Sequence, residues 1–392
     1  MPGSLGSNGP LYIDSPEAAD RFLASIAGIR ALALDTEGAS FHRYVDRIYL
    51  LQLSTERRHA ILDPLKVESP PALGKLLESR EVQVIFHDAD YDLRLLHQDY
   101  GWRVTNIFDT RVAAQLLGIK AFGLAALLES FFGVRLDKKH QRADWSMRPL
   151  PEDMLEYAAQ DTMHLLPLRQ RLHDALESKG RLHWAQEEFE RLEGTKWNNG
   201  GEDLSFLRIK GARDLTRREL AILRELVAWR DQLAKELDRS TFRVAGNDVL
   251  LAIAREAPAS VAAIETTRGL SRSVVTRHAR AIIEAVARGK DVPEADLPRF
   301  PRGPRWARDP DFDDRASALR AVRDRRAAEL ELDPGVLCPR ERMEAIARRN
   351  PRSIEELTEV PEVRRWQAEV LGEEFLEALR AGAPGESPYK TS

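Results

Sequence analysis

Two carboxylates follow a buried strand in the segment ALALDTEGAS, residues 31–40. Side chains alternate between the two faces of a strand, so Asp35 and Glu37 share one face while Thr36 points to the other. Two acids at one edge of a sheet repel each other, and burying them is costly unless a cation neutralises them or one pKa rises. The pair therefore suits a divalent metal, although an ordinary solvated pair at a strand end is the alternative.

A second acidic motif follows the apolar segment VQVIFH, residues 82–87. The stretch DADYDLRLLHQDYG has the pattern of a helix whose leucines face the core. Asp88 suits a helix cap and Asp90 suits the solvent-facing side, whereas Asp92 lies beside the buried leucines. Asp92 is therefore the best candidate for a third carboxylate ligand.

The third motif, YAAQDTMHLLPL, places Tyr157 and Asp161 one helical turn apart on the same face. A phenol over a carboxylate suits a water molecule held between them, although a core tyrosine beside a solvated aspartate is the alternative. Together with Asp35, Glu37 and Asp92 they form a set of four carboxylates and one tyrosine. Mg²⁺ and Mn²⁺ prefer oxygen ligands, and two such ions roughly 3.5–4 Å apart stabilise both the attacking and the leaving oxygen of an in-line displacement. The set predicts a two-metal phosphodiester site.

Residues 11–195 must position these groups, and they alternate short apolar runs with amphipathic stretches, which is typical of an α/β domain. The first three strand candidates lie too close together for crossover helices, so we expect an antiparallel meander. Strands are expected at 31–35, 48–54, 59–63 and 82–87, and helices near 89–100, from Thr110 with Asp109 as N-cap, over 123–132, and in a long stretch after Pro151.

The remainder of the chain is helical in pattern. KWNNGGEDLS, residues 196–205, is the first clear linker, and a self-comparison beyond it finds a repeat at a constant offset of 93 positions. Two copies of one small helical domain are therefore expected. Matching pairs include Leu226 with Leu319, Arg230 with Arg323, Ile253 with Ile346, Pro258 with Pro351 and Gly289 with Gly382.

Composition sets further limits. The 392 residues are 43% hydrophobic and 31% charged with a mean hydropathy of −0.42, which favours a soluble protein without membrane spans. A net charge of −4 gives no overall nucleic-acid signature. The arginine-dense stretches 299–308 and 320–326 fit solvated surfaces as well as phosphate contact. The single cysteine, Cys338, excludes an internal disulfide and fits a reducing cytoplasm.

Three motifs carry a resemblance to a known family. LDTEG, FHDADYDLRLL and YAAQDTMHLL resemble the exonuclease motifs of the DEDD superfamily, and the tyrosine four residues before the last aspartate resembles its DEDDy branch. The order of FDTRVAAQLLG, GLAALLESFFGV and the segment at 137–161 is similar to the ribonuclease D family. The helical repeat resembles the HRDC domain, of which bacterial members of that family carry two. A Walker A pattern is absent from the sequence, which excludes the helicases that share this domain.

The resemblance implies a fold and a division of the chain. The expected fold is α/β and ribonuclease H-like, with a mixed five-stranded sheet flanked by helices, followed by two all-α HRDC-like domains. The expected units are a flexible leader (1–10), the exonuclease domain (11–198), a first helical domain (206–290), a linker (291–310), a second helical domain (311–383) and a flexible tail (384–392).

The resemblance also implies a role for each motif residue. Asp35, Glu37 and Asp161 would hold the metal ion that binds the nucleophilic water. Asp35 would bridge to a second ion, to which Asp92 contributes, and Tyr157 would orient the attacking water. The metal is expected to be Mg²⁺ or Mn²⁺.

The function that follows is a 3′–5′ exoribonuclease that releases nucleoside 5′-monophosphates from RNA 3′ ends such as those of tRNA precursors. The enzyme is expected to be a cytoplasmic monomer with no membrane partner. Two alternatives stay open at this point. One alternative is a 3′–5′ exonuclease acting on DNA, which would use the same carboxylates. The other is a non-catalytic RNA-binding adaptor.

An exonuclease acting at a 3′ end must hold unpaired nucleotides on apolar or aromatic groups. Trp145 could stack on a base or anchor its loop by packing, and Arg148 could contact phosphate or form a salt bridge to a helix. The helical domains could capture RNA or merely pack. The predicted substrate-binding residues are Thr36, Phe41, His87, Trp145 and Arg148, with His42, Gln52 and Lys139 as further candidates.

Overall fold

The computed structural model describes residues 10–137, 139–141, 143–198, 202–301 and 309–381. The expected leader before Pro10, the tail from 384 and most of the arginine-dense stretch at 299–308 lie outside these residues. In the described part of the chain the strands form one sheet in the order β1-β4-β3-β2-β5-β6. The strands are β1 (Leu11–Ile13), β2 (Ala31–Glu37), β3 (Leu50–Ser54), β4 (His59–Leu62), β5 (Gln83–Phe86) and β6 (Ile107–Asp109).

The sheet is mixed, as predicted. β2, β3 and β4 form the antiparallel meander, while β1 pairs with β4, and β5 with β2 and β6, in parallel. β2 lies inside the sheet, and its Leu32, Ala33 and Leu34 are fully buried. The acidic end of β2 therefore starts from a fixed central strand.

The sheet has six strands in the described residues, so the expected count of five was wrong. β1 and β6 are only three residues long and lie at the two edges. A three-residue strand contains too few positions to show the period-two alternation by which a strand is recognised in a sequence.

Nine helices accompany the sheet within the described residues 10–198. The expected helix near 89–100 and the N-cap at Asp109 are confirmed. The long helix expected after Pro151 is two helices that meet at His164, because Pro167 has no N–H to donate and its ring would clash with the carbonyl of Met163. The helices are α1 (Pro16–Ser25), α2 (Pro64–Val67), α3 (Pro71–Leu77), α4 (Asp90–Tyr100), α5 (Thr110–Leu116), α6 (Leu124–Phe132), α7 (Glu152–Met163), α8 (Leu165–Ser178) and α9 (Leu182–Leu192).

Two helical repeats follow, and the expected offset of 93 is visible in the backbone. The last four helices of each repeat begin 93 positions apart, and left-handed residues recur at the same offset: Asp238 with Glu331, Ala257 with Asn350, and Gly269 with Glu362. The first repeat contains α10 (Arg217–Glu236), α11 (Thr241–Val244), α12 (Asn247–Glu256), α13 (Val261–Glu265) and α14 (Arg272–Asp291). The second repeat contains α15 (Phe312–Glu329), α16 (Pro334–Leu337), α17 (Arg340–Arg349), α18 (Ile354–Thr358) and α19 (Arg365–Ala381).

The two repeats differ in how they contact the first domain. The first repeat has a hydrophobic core of its own, whereas buried side chains of the second repeat form one continuous cluster with those of α5, α8 and α9. Trp366 stacks on Trp184 with ring centroids 4.9 Å apart. Gly118 lies so close to the carbonyl of Glu331 that a Cβ there would clash. The second repeat is therefore packed into the first domain.

Among the described helices, none combines the length and the apolar character that crossing a lipid bilayer requires.

Candidate active site

Three carboxylates converge where β2 ends. Asp35 and Glu37 come from β2 and Asp161 from α7, and one oxygen of each lies within 4.8 Å of the others. α7 packs across β2, β3 and β4, which brings a residue far along the chain to the two strand acids. The three predicted ligands therefore lie close together, although Asp161 is far from β2 in the sequence.

Asp92 reaches the same place from α4. Its Oδ1 accepts hydrogen bonds from the backbone N–H of Thr36, at 3.0 Å, and from the Thr36 hydroxyl, at 2.5 Å. Thr36 lies between the two acids of β2, so these bonds tie the start of α4 to the acidic strand end. The Thr36 hydroxyl therefore positions Asp92, and substrate contact by Thr36 stays a prediction.

The electrostatics of this cluster are unfavourable without a cation. Burial raises the pKa of Asp35 well above its usual range, and the neighbouring carboxylates raise it further. Burial raises the pKa of Glu37 in the same way, and it raises the pKa of Asp92 and of Asp161 to about 7. Four acids in one buried site repel each other when ionised. A set of oxygen donors with this much uncompensated charge fits hard divalent cations.

Tyr157 lies beside Asp161 on α7. Its ring is stacked on Trp145, with centroids 6.2 Å apart, and meets His140 edge-on at 5.6 Å. Burial and the nearby carboxylates raise the pKa of the Tyr157 hydroxyl above its usual range, so the phenol stays protonated at neutral pH. The packing fixes the ring, and the hydroxyl remains available to hydrogen-bond a water molecule near the acids.

Asp35, Glu37, Tyr157 and Asp161 line a cleft of about 600 Å³, which we call the active-site cleft. Phe41 and His87, two predicted substrate-binding residues, also line it. Phe41 is 48% exposed and offers an aromatic surface. His87 hydrogen-bonds the Thr110 hydroxyl at 2.9 Å, and burial lowers its pKa to about 4, so the ring is neutral at physiological pH.

Two predicted substrate contacts need correction. Trp145 is only 2% exposed, and its ring packs under Tyr157, so the packing alternative applies. Arg148 makes a two-point salt bridge to the buried Asp63, at 2.6 and 2.7 Å, and also donates to the Tyr49 carbonyl. Asp63 caps α2. The guanidinium of Arg148 is therefore used in the salt bridge to a helix and not in phosphate contact.

The remaining candidates are also placed. His42 lines the active-site cleft. The Gln52 amide is buried with its nitrogen 3.5 Å from Glu37 Oε1, and Lys139 forms an exposed ion pair with Asp153. Asp88 forms an ion pair with Arg111 and is not among the residues that line the cleft.

Asp109 is a positioning residue, and the sequence indicated only one of its two roles. The N-cap of α5 was predicted, but the buried carboxylate also accepts the N–H groups of Asp88, at 3.2 Å, and Ala89, at 2.8 Å. One carboxylate therefore fixes the beginnings of both α4 and α5. The register of β5 and β6 aligns Phe86 with Asp109, and this pairing brings the carboxylate next to the residues that follow β5.

We expect Asp109→Ala to lower the free energy of unfolding by about 2–4 kcal/mol, because four backbone N–H groups lose their acceptor. Urea-induced unfolding measures this loss. Asp90→Ala is the matched control, since Asp90 lies at the same helix start and, among the described residues, pairs only with Arg94 in an exposed bridge worth about 0–1 kcal/mol. Equal losses for the two variants would contradict the role assigned to Asp109.

The fold and site are those of a 3′–5′ exonuclease followed by two HRDC domains, and comparison with known proteins agrees. A 3′–5′ exonuclease profile matches residues 10–177, and the HRDC profile matches 219–286 and 312–379. The chain belongs to the ribonuclease D family. Ribonuclease D of Gluconacetobacter diazotrophicus is 31% identical over 356 residues, which cover 90% of this chain and 88% of the relative.

Solved structures agree with this assignment. Escherichia coli RNase D superposes with a TM-score of 0.74 and 25% identity, covering 95% of this chain and 99% of that chain. A protein from Bifidobacterium adolescentis superposes with a TM-score of 0.80 and 26% identity, covering 97% and 99%. The predicted family, α/β fold and 3′–5′ exoribonuclease activity are confirmed.

Proposed function

We propose that the enzyme removes nucleotides singly from RNA 3′ ends and releases nucleoside 5′-monophosphates, using two Mg²⁺ or Mn²⁺ ions held by Asp35, Glu37, Asp92 and Asp161. The observation that carries this proposal is the convergence of three carboxylates within 4.8 Å on one side of the active-site cleft. When bound, such ions lower the pKa of the attacking water and stabilise the departing 3′ oxygen.

The protein's own contribution is to position the acids and the water. Asp35 and Glu37 are fixed by the central strand, while Thr36 holds the Asp92 carboxylate against that strand. Tyr157 would orient the attacking water with its hydroxyl, which its raised pKa keeps protonated. Trp145 would keep the phenol ring in place. Phe41 and His87 would contact the terminal nucleotides.

Tyr157→Phe tests the role of the phenol. We expect kcat to fall by about 10²-fold with KM unchanged, because phenylalanine keeps the packing on Trp145 and removes only the hydroxyl that orients water. Steady-state kinetics on a short single-stranded RNA separate the two constants. A raised KM with unchanged kcat would instead assign the hydroxyl to substrate binding.

We further propose that the substrates are tRNA precursors and that the enzyme acts as a cytoplasmic monomer. Its domains are proposed to have the bounds predicted from the sequence. The E. coli relative is described as an exoribonuclease involved in structured RNA processing. The buried, unpaired Cys338 suits a reducing compartment. Buried side chains of the second repeat continue the core of the exonuclease domain, which supports a single working unit.

The test uses a tRNA precursor with a short 3′ trailer, an unstructured RNA of equal length and the corresponding DNA, each labelled at the 5′ or the 3′ end. We expect stepwise shortening from the 3′ end, immediate release of labelled mononucleotide from 3′-labelled RNA, and complete inhibition by chelator. Mg²⁺ and Mn²⁺ are added separately to identify the metal. Failure to trim the precursor, with normal activity on the unstructured RNA, would remove the tRNA proposal alone.

A further inference from the structure

The first repeat contacts the loop that follows Glu37. Asp238, in the turn between α10 and α11, accepts hydrogen bonds from the Arg43 guanidinium, at 2.9 Å, and from the Tyr44 N–H, at 3.4 Å. Ser240, which is buried, donates its hydroxyl to the Ser40 carbonyl. Ser40, Phe41 and His42 of this loop line the active-site cleft, so the turn of the first repeat packs against a loop that forms part of the cleft lining.

An aromatic pair lies at this junction. Phe242 of α11 meets Phe41 edge-on, with ring centroids 5.9 Å apart and an interplanar angle of 77°. Phe242 is 52% exposed although its ring is apolar, and it does not line the cleft itself. Phe242 therefore contacts a ring of the cleft lining but lies outside that lining.

Two arginines, Arg239 and Arg243, lie on either side of Phe242 in the sequence. Arg243 lies with Nη2 3.4 Å from His42 Nδ1, at the rim of the cleft. Arg239 and Arg243 are exposed, and neither forms an ion pair within the part of the chain that the structure describes. Exposed aromatic rings beside uncompensated arginines are the combination with which proteins bind single-stranded nucleic acid.

The second repeat lacks this combination. The positions 93 residues after Phe242 and Arg243 are Gly335 and Val336. The same turn of the second repeat contacts Gly118 and Arg181 of the exonuclease domain through backbone carbonyls. Packing of the repeat fold therefore does not require an aromatic residue here, and the aromatic and basic pair is specific to the copy that adjoins the active-site cleft.

We propose that Phe242 and Arg243 form an RNA subsite for a nucleotide upstream of those held inside the active-site cleft. The Phe242 ring stacks on the base, and Arg243 and Arg239 attract the adjacent phosphates. The first repeat thereby lengthens the single-stranded path that leads to the scissile bond. This assignment rests on the proposed function, in which the terminal nucleotides occupy the active-site cleft, and it concerns RNA of several nucleotides.

Phe242→Ala tests the subsite with oligoadenylates of two to twelve nucleotides. We expect KM for RNA of six or more nucleotides to rise about 5- to 50-fold, which corresponds to loss of one stacked base. The rise should be smaller for the dinucleotide. Phe242→Trp should restore the KM of the long substrates, and Arg243→Gln should lower the salt dependence of their binding.

Val261→Ala is the matched control, since Val261 is 41% exposed in α13 of the same repeat and does not line the cleft. It should leave the KM of every substrate unchanged. An equal effect of Phe242→Ala on the dinucleotide, or a lower kcat at all lengths, would show that Phe242 only orders the loop and would overturn the subsite. An unchanged KM at all lengths would overturn it as well.

Discussion

Asp161→Asn is expected to lower kcat/KM for single-stranded RNA by about 10⁴-fold in saturating Mg²⁺. Asp161 shares the site of Asp35 and Glu37, and a neutral amide in its place binds a hard cation far less well than a carboxylate. Loss of metal-based stabilisation of the transition state is worth several kcal/mol, which corresponds to this reduction in rate. Single-turnover cleavage of 5′-labelled RNA measures it.

Asp88→Asn is the matched control for this variant. Asp88 is also an acid at the end of a strand, but it is exposed and pairs with Arg111. We expect its activity to stay within about threefold of wild type, because a surface ion pair contributes only about 0–1 kcal/mol. Comparable losses for Asp88→Asn and Asp161→Asn would contradict a site built on Asp161.

Asp161→Asn, which should lower activity in Mg²⁺, should raise the stability of the protein when metal is removed. The pKa of Asp161 lies at about 7 in the folded protein and near 3.8 ordinarily, so the folded state binds more protons than the unfolded state between these values. The stabilisation from protonated Asp161 is therefore complete below about pH 4 and is lost as the pH rises through about 7. In chelator at pH 8, Asp161→Asn should have a higher Tm than wild type, because one repelling charge is gone.

Divalent metal should reduce or reverse the Tm difference between Asp161→Asn and wild type. Binding to the folded state raises stability by mass action, so Mg²⁺ should raise the Tm of wild type at pH 8 and have little effect on Asp161→Asn. Thermal unfolding with chelator and with Mg²⁺ gives all four values. An equal Mg²⁺ effect on both proteins would place the metal elsewhere.

The acidic residues that converge in the structure could be predicted because each motif is local. The period of a strand puts Asp35 and Glu37 on one face, and the period of a helix puts Tyr157 and Asp161 on another. The role of Thr36 could not be predicted, since its hydroxyl bonds Asp92, which is 56 residues away. Sequence spacing fixes the direction of a side chain on its own element but not its partner on another.

The same limit explains the errors at Trp145 and Arg148. Both lie in a segment with little periodicity, and both residue types are used for RNA contact as well as for packing. Their roles are decided by Tyr157 above Trp145 and by the buried Asp63 beside Arg148. The 93-residue repeat was predictable for the opposite reason, because identical residues recur at one constant offset along the chain, as Leu226 with Leu319 and Ile253 with Ile346.

Trp366→Ala is expected to lower the free energy of unfolding by about 3–5 kcal/mol, because it empties a large buried volume. Trp366 is 1% exposed, stacks on Trp184 and donates its indole N–H to Glu188 at 3.0 Å. The lost packing joins the second repeat to the exonuclease domain, so we expect both to unfold in one transition at lower urea. Urea-induced unfolding followed by tryptophan fluorescence and by RNA cleavage measures this.

Charged groups at the same interface make the expected coupling stronger. Glu187 accepts the N–H groups of Arg365 and Trp366, at 2.8 and 3.0 Å, and so caps α19 from the exonuclease domain. Arg364 is 8% exposed as a residue and bonds both oxygens of Glu188. Removing the second repeat would leave these groups without partners, so the exonuclease domain and the second repeat should behave as one cooperative unit.

The repeat itself supplies the control for Trp366→Ala. The equivalent position in the first repeat is Ser273, which is exposed at the start of α14 and, in the described ranges, has a side-chain hydrogen bond with Ser271 and none with the exonuclease domain. Ser273→Ala should change the free energy of unfolding by less than about 0.5 kcal/mol. If Trp366→Ala unfolded the second repeat alone and left RNA cleavage intact at that urea concentration, the two units would be independent. If the two units unfold in a single shared transition, the apolar side chains around Trp366 belong to the same core as the exonuclease domain.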